Sequence, residues 1–143
     1  METRPFGQSQ YKFTGLRVKE LTGCAYKFSL LLPITQNGTV IFSPEEEEEL
    51  RILFTEDFEG YTCSRGVTHP LWIGGYTDKS GVRVVNEHTS FGVYSKQSNV
   101  AIRYFMELNN NLVKYSQNTI TQRINGYKGE EKILIELMTV RLL

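Results

Sequence analysis

The sequence predicts an α+β domain, in which an antiparallel sheet of four or five strands is combined with two amphipathic helices. Two observations predict this class. Four segments are rich in aromatic and β-branched residues and are bounded by turn signals, which is typical of strands. Two others repeat their apolar residues at every third or fourth position, which is typical of helices, and the resulting order is β-α-β-β-α-β.

The first strand is predicted over residues 24–32, where alternate apolar residues share one face: Tyr26, Phe28, Leu30 and Leu32. Pro33 disfavours its continuation, and Gln36-Asn37-Gly38 is a turn signal. Residues 1–22 are polar and lack periodicity. They are therefore predicted as an arm preceding a single domain of residues 23–143, with an additional N-terminal strand as the alternative.

The first helix has the clearest start signal in the chain. Ser43 is predicted as the N-cap, Pro44 as the first helical residue, and Glu46 as the partner that completes a capping box. The glutamates at 45–49 are interpreted as a solvated helix start that matches the helix dipole. The stripe predicted to be buried contains Leu50, Leu53, Phe54 and Phe58.

A hairpin follows, with strands over residues 71–77 and 82–94 joined by a turn at 78–81. Gly74-Gly75 indicates a bulge or a close backbone approach. A second amphipathic helix begins near Ser98, which is its predicted N-cap. Ile120 and Ile124 are interpreted as the start of a late strand. Residues 132–142 are predicted as a final strand buried on both faces, because apolar residues stand at both odd and even positions and therefore on both faces of the strand.

This order matches the split βαβ, or ferredoxin-like, arrangement, whose antiparallel sheet carries both helices on one face. We expect the opposite face to expose Trp72, Tyr76, Phe91 and Val93, together with part of the final strand. Such a patch is larger than monomers usually tolerate, so the chain is predicted to form a homodimer.

Several short stretches resemble an uncharacterised bacterial family of small ferredoxin-like proteins. They are Phe58-Glu59-Gly60-Tyr61-Thr62, Pro70-Leu71-Trp72 with the following Gly75 to Asp78, Glu87 ahead of residues 91–94, and Gln117 with Ile120. The resemblance extends over residues 26–140. It implies the fold and carries no established activity. Many members of that family look like secreted lipoproteins, whereas this sequence shows no signal peptide.

Composition disfavours several classes of function. Lys and Arg together number 16, as do Asp and Glu, and no long basic run is present, so nucleic acid is an unfavoured partner. No apolar run approaches the ~20 residues that span a bilayer, so no membrane partner is expected. Two cysteines, Cys24 and Cys63, do not make a disulfide framework. A cytoplasmic location is therefore predicted, and no cofactor is expected.

The candidate ligand or interface residues are Trp72, Tyr76, Glu87, His88, Phe91 and Tyr94. His69, Glu87 and His88 do not have the spacing of a metal site, so no metal is predicted. The favoured function is a homo-oligomeric binding or assembly module. One alternative is a small-molecule-binding enzyme with a pocket near Trp72, Tyr76 and Glu87. A second is binding of single-stranded RNA on the sheet face. The sequence does not decide whether the protein is an enzyme.

Overall fold

The computed structural model describes residues 6–7, 22–58, 60–64 and 72–143, with Trp72 described in its backbone only. Its elements are β1 (Gly23–Gln36), β2 (Thr39–Val40), α1 (Pro44–Phe58), β3 (Thr62–Cys63), β4 (Trp72–Thr77), β5 (Arg83–Ser95), α2 (Ser98–Tyr115), α3 (Thr121–Arg123) and β6 (Leu134–Leu142). The α+β class is confirmed, with six strands in the described residues instead of the four or five predicted.

All strand pairs of the sheet are antiparallel. The long strands β1 and β5 lie side by side at its centre. β6 and the short β2 pair with the other edge of β1, while β4 and the short β3 pair with the other edge of β5. The long strands therefore follow the order β6, β1, β5, β4, and the predicted hairpin of β4 and β5 is confirmed.

β1 continues past Pro33, where the sequence predicted its end. The register with β5 shifts between Pro33 and Thr35, so Ile34 is an extra residue in a β-bulge. Proline is tolerated at a bulge because the ladder hydrogen bond that it cannot donate is already interrupted there. Ile34 is buried, and the strand extends to Gln36.

The core lies between the sheet and helices α1 and α2, and aromatic rings fill it. Phe28 of β1 stacks on Phe105 of α2 with 4.7 Å between ring centroids, and Phe91 of β5 meets Phe54 of α1 at 5.8 Å. Phe91 and Val93 are each 1% exposed. The expectation that these two residues lie on an uncovered face was wrong, because their side chains are on the face of β5 that the helices cover.

The start of α1 forms the predicted capping box. The Ser43 N–H donates to Glu46 Oε1 (2.9 Å), and the Glu46 N–H donates to Ser43 Oγ (3.2 Å). The glutamate run was predicted to be solvated, but Glu46 and Glu47 are buried. Glu47 is 1% exposed and accepts a 2.7 Å hydrogen bond from the Thr89 hydroxyl, and Glu46 also accepts one from Arg123 Nη2 (2.9 Å).

Helix α2 begins at Ser98, but its cap residue is Gln97, and no side chain caps it. The Gln97 N–H instead donates to Ser95 Oγ (2.9 Å), which fixes the entry to the helix and replaces the predicted Ser98 cap. The predicted late strand at Ile120 and Ile124 is also absent. Helical structure instead continues through a π-helical turn at Ser116–Ile120 into α3, and Ile120 is fully buried.

β6 is more exposed than the sequence predicts. Within the described ranges it pairs with β1 alone, so its other edge has no strand neighbour there. Leu134, Leu137 and Met138 are each nearly half-exposed. The prediction of burial on both faces was therefore wrong for this chain taken alone.

Candidate functional site

A cleft of about 340 Å³ lies between the β4–β5 hairpin and the loop that precedes β6. From the hairpin side and the end of β1 it is lined by Gln36, Tyr76, Thr77, Asp78, Lys79 and Val84, and from the loop side by Lys128, Gly129, Glu130, Glu131 and Lys132. An ion pair of 3.2 Å between Lys79 Nζ and Glu131 Oε1 connects the two walls. We call this cavity the hairpin cleft.

The turn on the hairpin side is held by one carboxylate. Asp78 Oδ1 accepts hydrogen bonds from the Ser80 N–H (2.9 Å), the Ser80 hydroxyl (2.6 Å) and the Val82 N–H (2.9 Å). The bonds from Ser80 and Val82 keep the pKa of Asp78 below its usual value. Asp78 is thus occupied in shaping the turn.

The loop side is anchored to the end of α2 and the π-helical turn through backbone groups. The Glu130 N–H donates to Ser116 Oγ (2.8 Å), and Gln117 Nε2 donates to the Glu130 carbonyl (2.8 Å). Gly129 adopts φ = +82°, and a Cβ there would lie 2.8 Å from Gln117 Cα. Only glycine fits both the conformation and the space, so this residue brings the loop against the helix.

Glu130 and Tyr127 place two buried polar groups beside the cleft. Glu130 is 5% exposed and Tyr127 is 7% exposed. Among the residues that the structure describes, Glu130 Oε1 and the Tyr127 hydroxyl have no hydrogen-bond partner of ideal geometry, but they lie close enough to interact with each other. Burial raises the pKa of Glu130 to about 7, and the Tyr127 hydroxyl offsets part of that rise. Burial and the Glu130 charge also raise the pKa of Tyr127.

Tyr76 is the predicted site residue that lies in this cleft. It is 48% exposed, and burial of its ring together with the charge of Glu130 raises its pKa. Trp72 pairs through its backbone with His88, while its side chain lies outside the described part of the structure. Of the three residues predicted to lie near a pocket, Tyr76 lines this cleft, and the buried carboxyl group beside it belongs to Glu130.

Glu87 and His88 do not line the hairpin cleft. Glu87 Oε1 accepts a 3.3 Å hydrogen bond from the Thr35 hydroxyl, and the Glu87 N–H donates to Thr35 Oγ1 (3.2 Å). His88 lies beside Gly74, where an added Cβ would come within 3.1 Å of His88 Cε1. Gly74 therefore leaves room for this imidazole, which is a side-chain neighbour, whereas the sequence predicted a bulge or a close backbone approach at Gly74-Gly75.

Phe91 and Tyr94 lie on opposite faces of β5. Phe91 is in the core, so it is not available to stack on a base. Tyr94 is half-buried, and Lys27 Nζ lies 5.8 Å from the centre of its ring. Since stacking on RNA needs exposed rings, the sheet face offers less to single-stranded RNA than the sequence suggested.

Glu130 and Tyr127 are not among the site residues that the sequence predicted. Glutamate is among the residue types most often exposed, and nothing in the local pattern Gly129-Glu130-Glu131 distinguishes the buried carboxyl from its exposed neighbour. The only local signal was the pair Gly126 and Gly129, which marked a loop.

A second feature is an apolar groove of about 280 Å³ between α2 and β6. Its lining includes Ile102, Phe105, Met106, Ile135 and Leu137. Together with the edge of β6 that has no strand neighbour among the described residues, it forms an apolar surface whose most exposed side chains are Met106 (64%), Leu134 (48%), Leu137 (44%) and Met138 (48%). We call these four residues and the β6 edge the β6 surface.

Comparisons with known proteins assign neither feature. No protein-family model, curated protein or solved structure matches the chain. Within the described ranges, no helix has the length and apolar character needed to cross a bilayer. The same residues contain no group of three or more His, Cys, Asp or Glu side chains placed to hold a metal ion.

Proposed function

We propose that this protein is an assembly module that forms a homodimer through the β6 surface. The observation that carries the proposal is an edge strand of nine residues whose apolar side chains are half-exposed on both faces. A long apolar edge is a template for pairing with another strand. The composition of β6 is that of a strand covered on both sides, and a second copy would supply the missing cover.

The sequence of β6 suits antiparallel pairing with itself. A two-fold axis perpendicular to the sheet pairs residues that point to the same face. In the register that places Met138 opposite its own copy, Leu134 faces Leu142 and Glu136 faces Val140. No like charges are opposed, whereas a register centred on Glu136 would oppose two carboxylates, which is destabilising.

The dimer would also cover the groove beside β6. A stable interface buries about 800 Å² on each partner, and the groove beside β6 extends the contact area from the strand to α2. Met106 and Leu137 line that groove, so the partner can contact both strand and helix. Methionine and leucine side chains adapt well to such contacts.

The strand order supports a finer classification of the fold. We take β6, β1, β5 and β4 with helices α1 and α2 as a ferredoxin-like domain, to which β2 and β3 are short additions. Membership of the bacterial family that the sequence resembles stays a prediction.

A cytoplasmic, reducing location is supported by two free cysteines, Cys24 and Cys63, within the described residues.

The test is the mass in solution, measured by light scattering over a range of concentrations. The wild-type chain should have twice its 16.5 kDa mass. Met138→Glu and Met138→Lys should each weaken the dimer at least about tenfold, because like charges would face each other across the axis. An equimolar mixture of the two variants should restore the dimer, since opposite charges then meet at that position.

Ile73→Glu is the matched control, because Ile73 is 74% exposed on β4, at the other side of the sheet. That variant should remain dimeric. A wild-type monomer at all concentrations would refute the proposal. So would a dimer that Met138→Glu leaves intact, since a different surface would then hold the two copies together.

A further inference from the structure

We propose that Met138 is an oxidation site through which a hydroperoxide controls dimerisation of this protein. The inference rests on the homodimer proposed above and concerns the regulation of the same β6 surface. In the register that avoids opposed charges, Met138 lies on the two-fold axis and faces its own copy. Conversion of its thioether to a sulfoxide places a polar group at the centre of that contact, so the two copies separate.

The placement of the methionines points to this surface. The sequence contains three methionines, and the two within the described ranges are Met106 and Met138. Both are exposed by about half or more, and both belong to the β6 surface. The hydrophobic core formed by the described residues consists of Phe, Leu, Ile, Val, Ala and Tyr side chains and contains no methionine. Within the described ranges, methionine oxidation therefore changes the β6 surface and leaves the core packing intact.

The strand register directs Met138 away from the helices. Leu137 pairs with Phe28, whose ring stacks on Phe105 of α2, so Leu137 lies on the covered face of β6. Successive residues of a strand point to opposite faces, and Met138 therefore lies on the other face, in register with Lys27. Residues opposite each other in an antiparallel pair have Cβ atoms about 4.5–5.5 Å apart. In the dimer the two Met138 side chains therefore cover each other, whereas in the single chain each is accessible to peroxide.

The reaction is a two-electron oxidation of the Met138 sulfur. A sulfur lone pair attacks one oxygen of the hydroperoxide, an S–O bond forms, and the O–O bond breaks. The proton of the attacked oxygen moves to the departing oxygen, so hydrogen peroxide is reduced to water. A methionine sulfoxide reductase reverses the change: a dithiol supplies the electrons and protons, the sulfoxide oxygen leaves as water, and the dithiol becomes a disulfide.

A sulfoxide oxygen at the axis loses the hydrogen bonds that it makes with water in the single chain. Across the axis it faces the same side chain of the second copy, which is also an acceptor. Lys27, the cationic neighbour in β1, reaches toward Tyr94 of β5, on the side away from the β6 edge, with Nζ 5.8 Å from the ring centre. Burying a polar atom without a partner is costly, so oxidation should weaken the dimer at least about tenfold.

The test uses the full chain, treated with hydrogen peroxide and then with dithiothreitol. The dithiothreitol reduces disulfides and sulfenic acids that form at Cys24 or Cys63, and it leaves methionine sulfoxide unchanged. Mass spectrometry measures the oxygen added at Met138, and light scattering over a range of concentrations measures the dimer. The dimer of the treated chain should be at least about tenfold weaker. Methionine sulfoxide reductases of both stereospecificities should restore it.

Two leucine variants identify the responsible methionine. Met138→Leu keeps an apolar side chain of similar volume and removes the thioether, so it should dimerise and should not respond to peroxide. Met106→Leu is the matched control, because Met106 is the other methionine of the β6 surface and lies on α2. That variant should dimerise, and its dimer should weaken on oxidation as that of the wild type does.

The rate of oxidation gives a second test that needs no variant. Because Met138 is covered in the dimer, its oxidation relative to that of added N-acetylmethionine should slow as the protein concentration rises and the fraction of single chains falls. A relative rate that stays constant while light scattering shows dimer formation would contradict the inference, since Met138 would then be accessible in the dimer.

The outcomes separate this inference from the proposed dimer. A wild-type chain that is monomeric before treatment refutes the dimer itself, and the regulation with it. A dimer that keeps its strength when Met138 is fully oxidised, or a Met138→Leu dimer that peroxide still dissociates, overturns this inference alone. Loss of the folded circular dichroism spectrum on oxidation also overturns it, since the fold and not the surface would then have changed.

Discussion

Replacing Glu130 with glutamine should change how the stability of the protein depends on pH. The carboxyl group is buried, and its pKa in the folded protein is about 7, compared with an ordinary value of 4.5. The folded state therefore binds the proton more tightly than the unfolded state. Between these two values a rise in pH removes stability from the wild-type protein, and above pH 7 the loss is complete. Glutamine has the same shape and does not titrate.

The magnitude follows from the two pKa values. At 1.36 kcal/mol for each pH unit, the difference between 7 and 4.5 corresponds to about 3 kcal/mol. About 2.5 kcal/mol of this falls between pH 5 and pH 8. The free energy of unfolding of Glu130→Gln, relative to that of the wild type, should rise by that amount over this range. Other titrating groups contribute equally to both proteins and cancel.

Urea unfolding at fixed protein concentration and at pH 5, 6, 7 and 8 measures this difference. Glu131→Gln is the control. Glu131 follows Glu130 in the sequence, but its carboxylate is exposed and pairs with Lys79 at the surface. That variant should differ from the wild type by less than about 0.5 kcal/mol at every pH. Parallel pH profiles for Glu130→Gln and the wild type would refute the reasoning, since they would mean that water reaches the Glu130 carboxylate.

Two further predictions concern local structure. Ser43→Ala should lower the free energy of unfolding by about 1 kcal/mol, because it removes half of a capping box. Ser98 caps no helix, so Ser98→Ala should cost less than about 0.5 kcal/mol. Equal losses in urea unfolding would contradict the assignment of the caps. Gly126→Ala should cost about 1 kcal/mol because the position has a positive φ. Gly129→Ala should cost at least about 2 kcal/mol, because its φ is also positive and only there does a Cβ meet Gln117. Thermal unfolding measures both variants, and an equal loss would mean that the loop moves freely away from the helix.

Local patterns in the sequence were sufficient for several elements. The capping box of Ser43 and Glu46 needs only residues three apart, and the turn after β4 needs only Asp78 and the residues that follow it. The apolar stripe of α1 was predicted for the same reason. Interactions over a few residues do not depend on the rest of the fold, so they can be read before it is known.

The candidate sites depended on contacts between distant segments. Alternation in β5 indicates that Phe91 and Val93 share a face, but only the packing of α1 and α2 decides that this face is the buried one. The resemblance to a ferredoxin-like family likewise carried no information about Glu130, whose burial results from the anchoring of its loop to Ser116 and Gln117.

The sequence by itself determined the α+β class, the start of the first helix and the hairpin of β4 and β5, because each depends on periodicity or on hydrogen bonds between near neighbours. Only the tertiary structure decided which face of the sheet is covered, that β6 lies at an edge, and that a glutamate beside Gly129 is withdrawn from water. Burial is a property of segments far apart in the chain, and a residue's type and parity do not specify which segment will cover it.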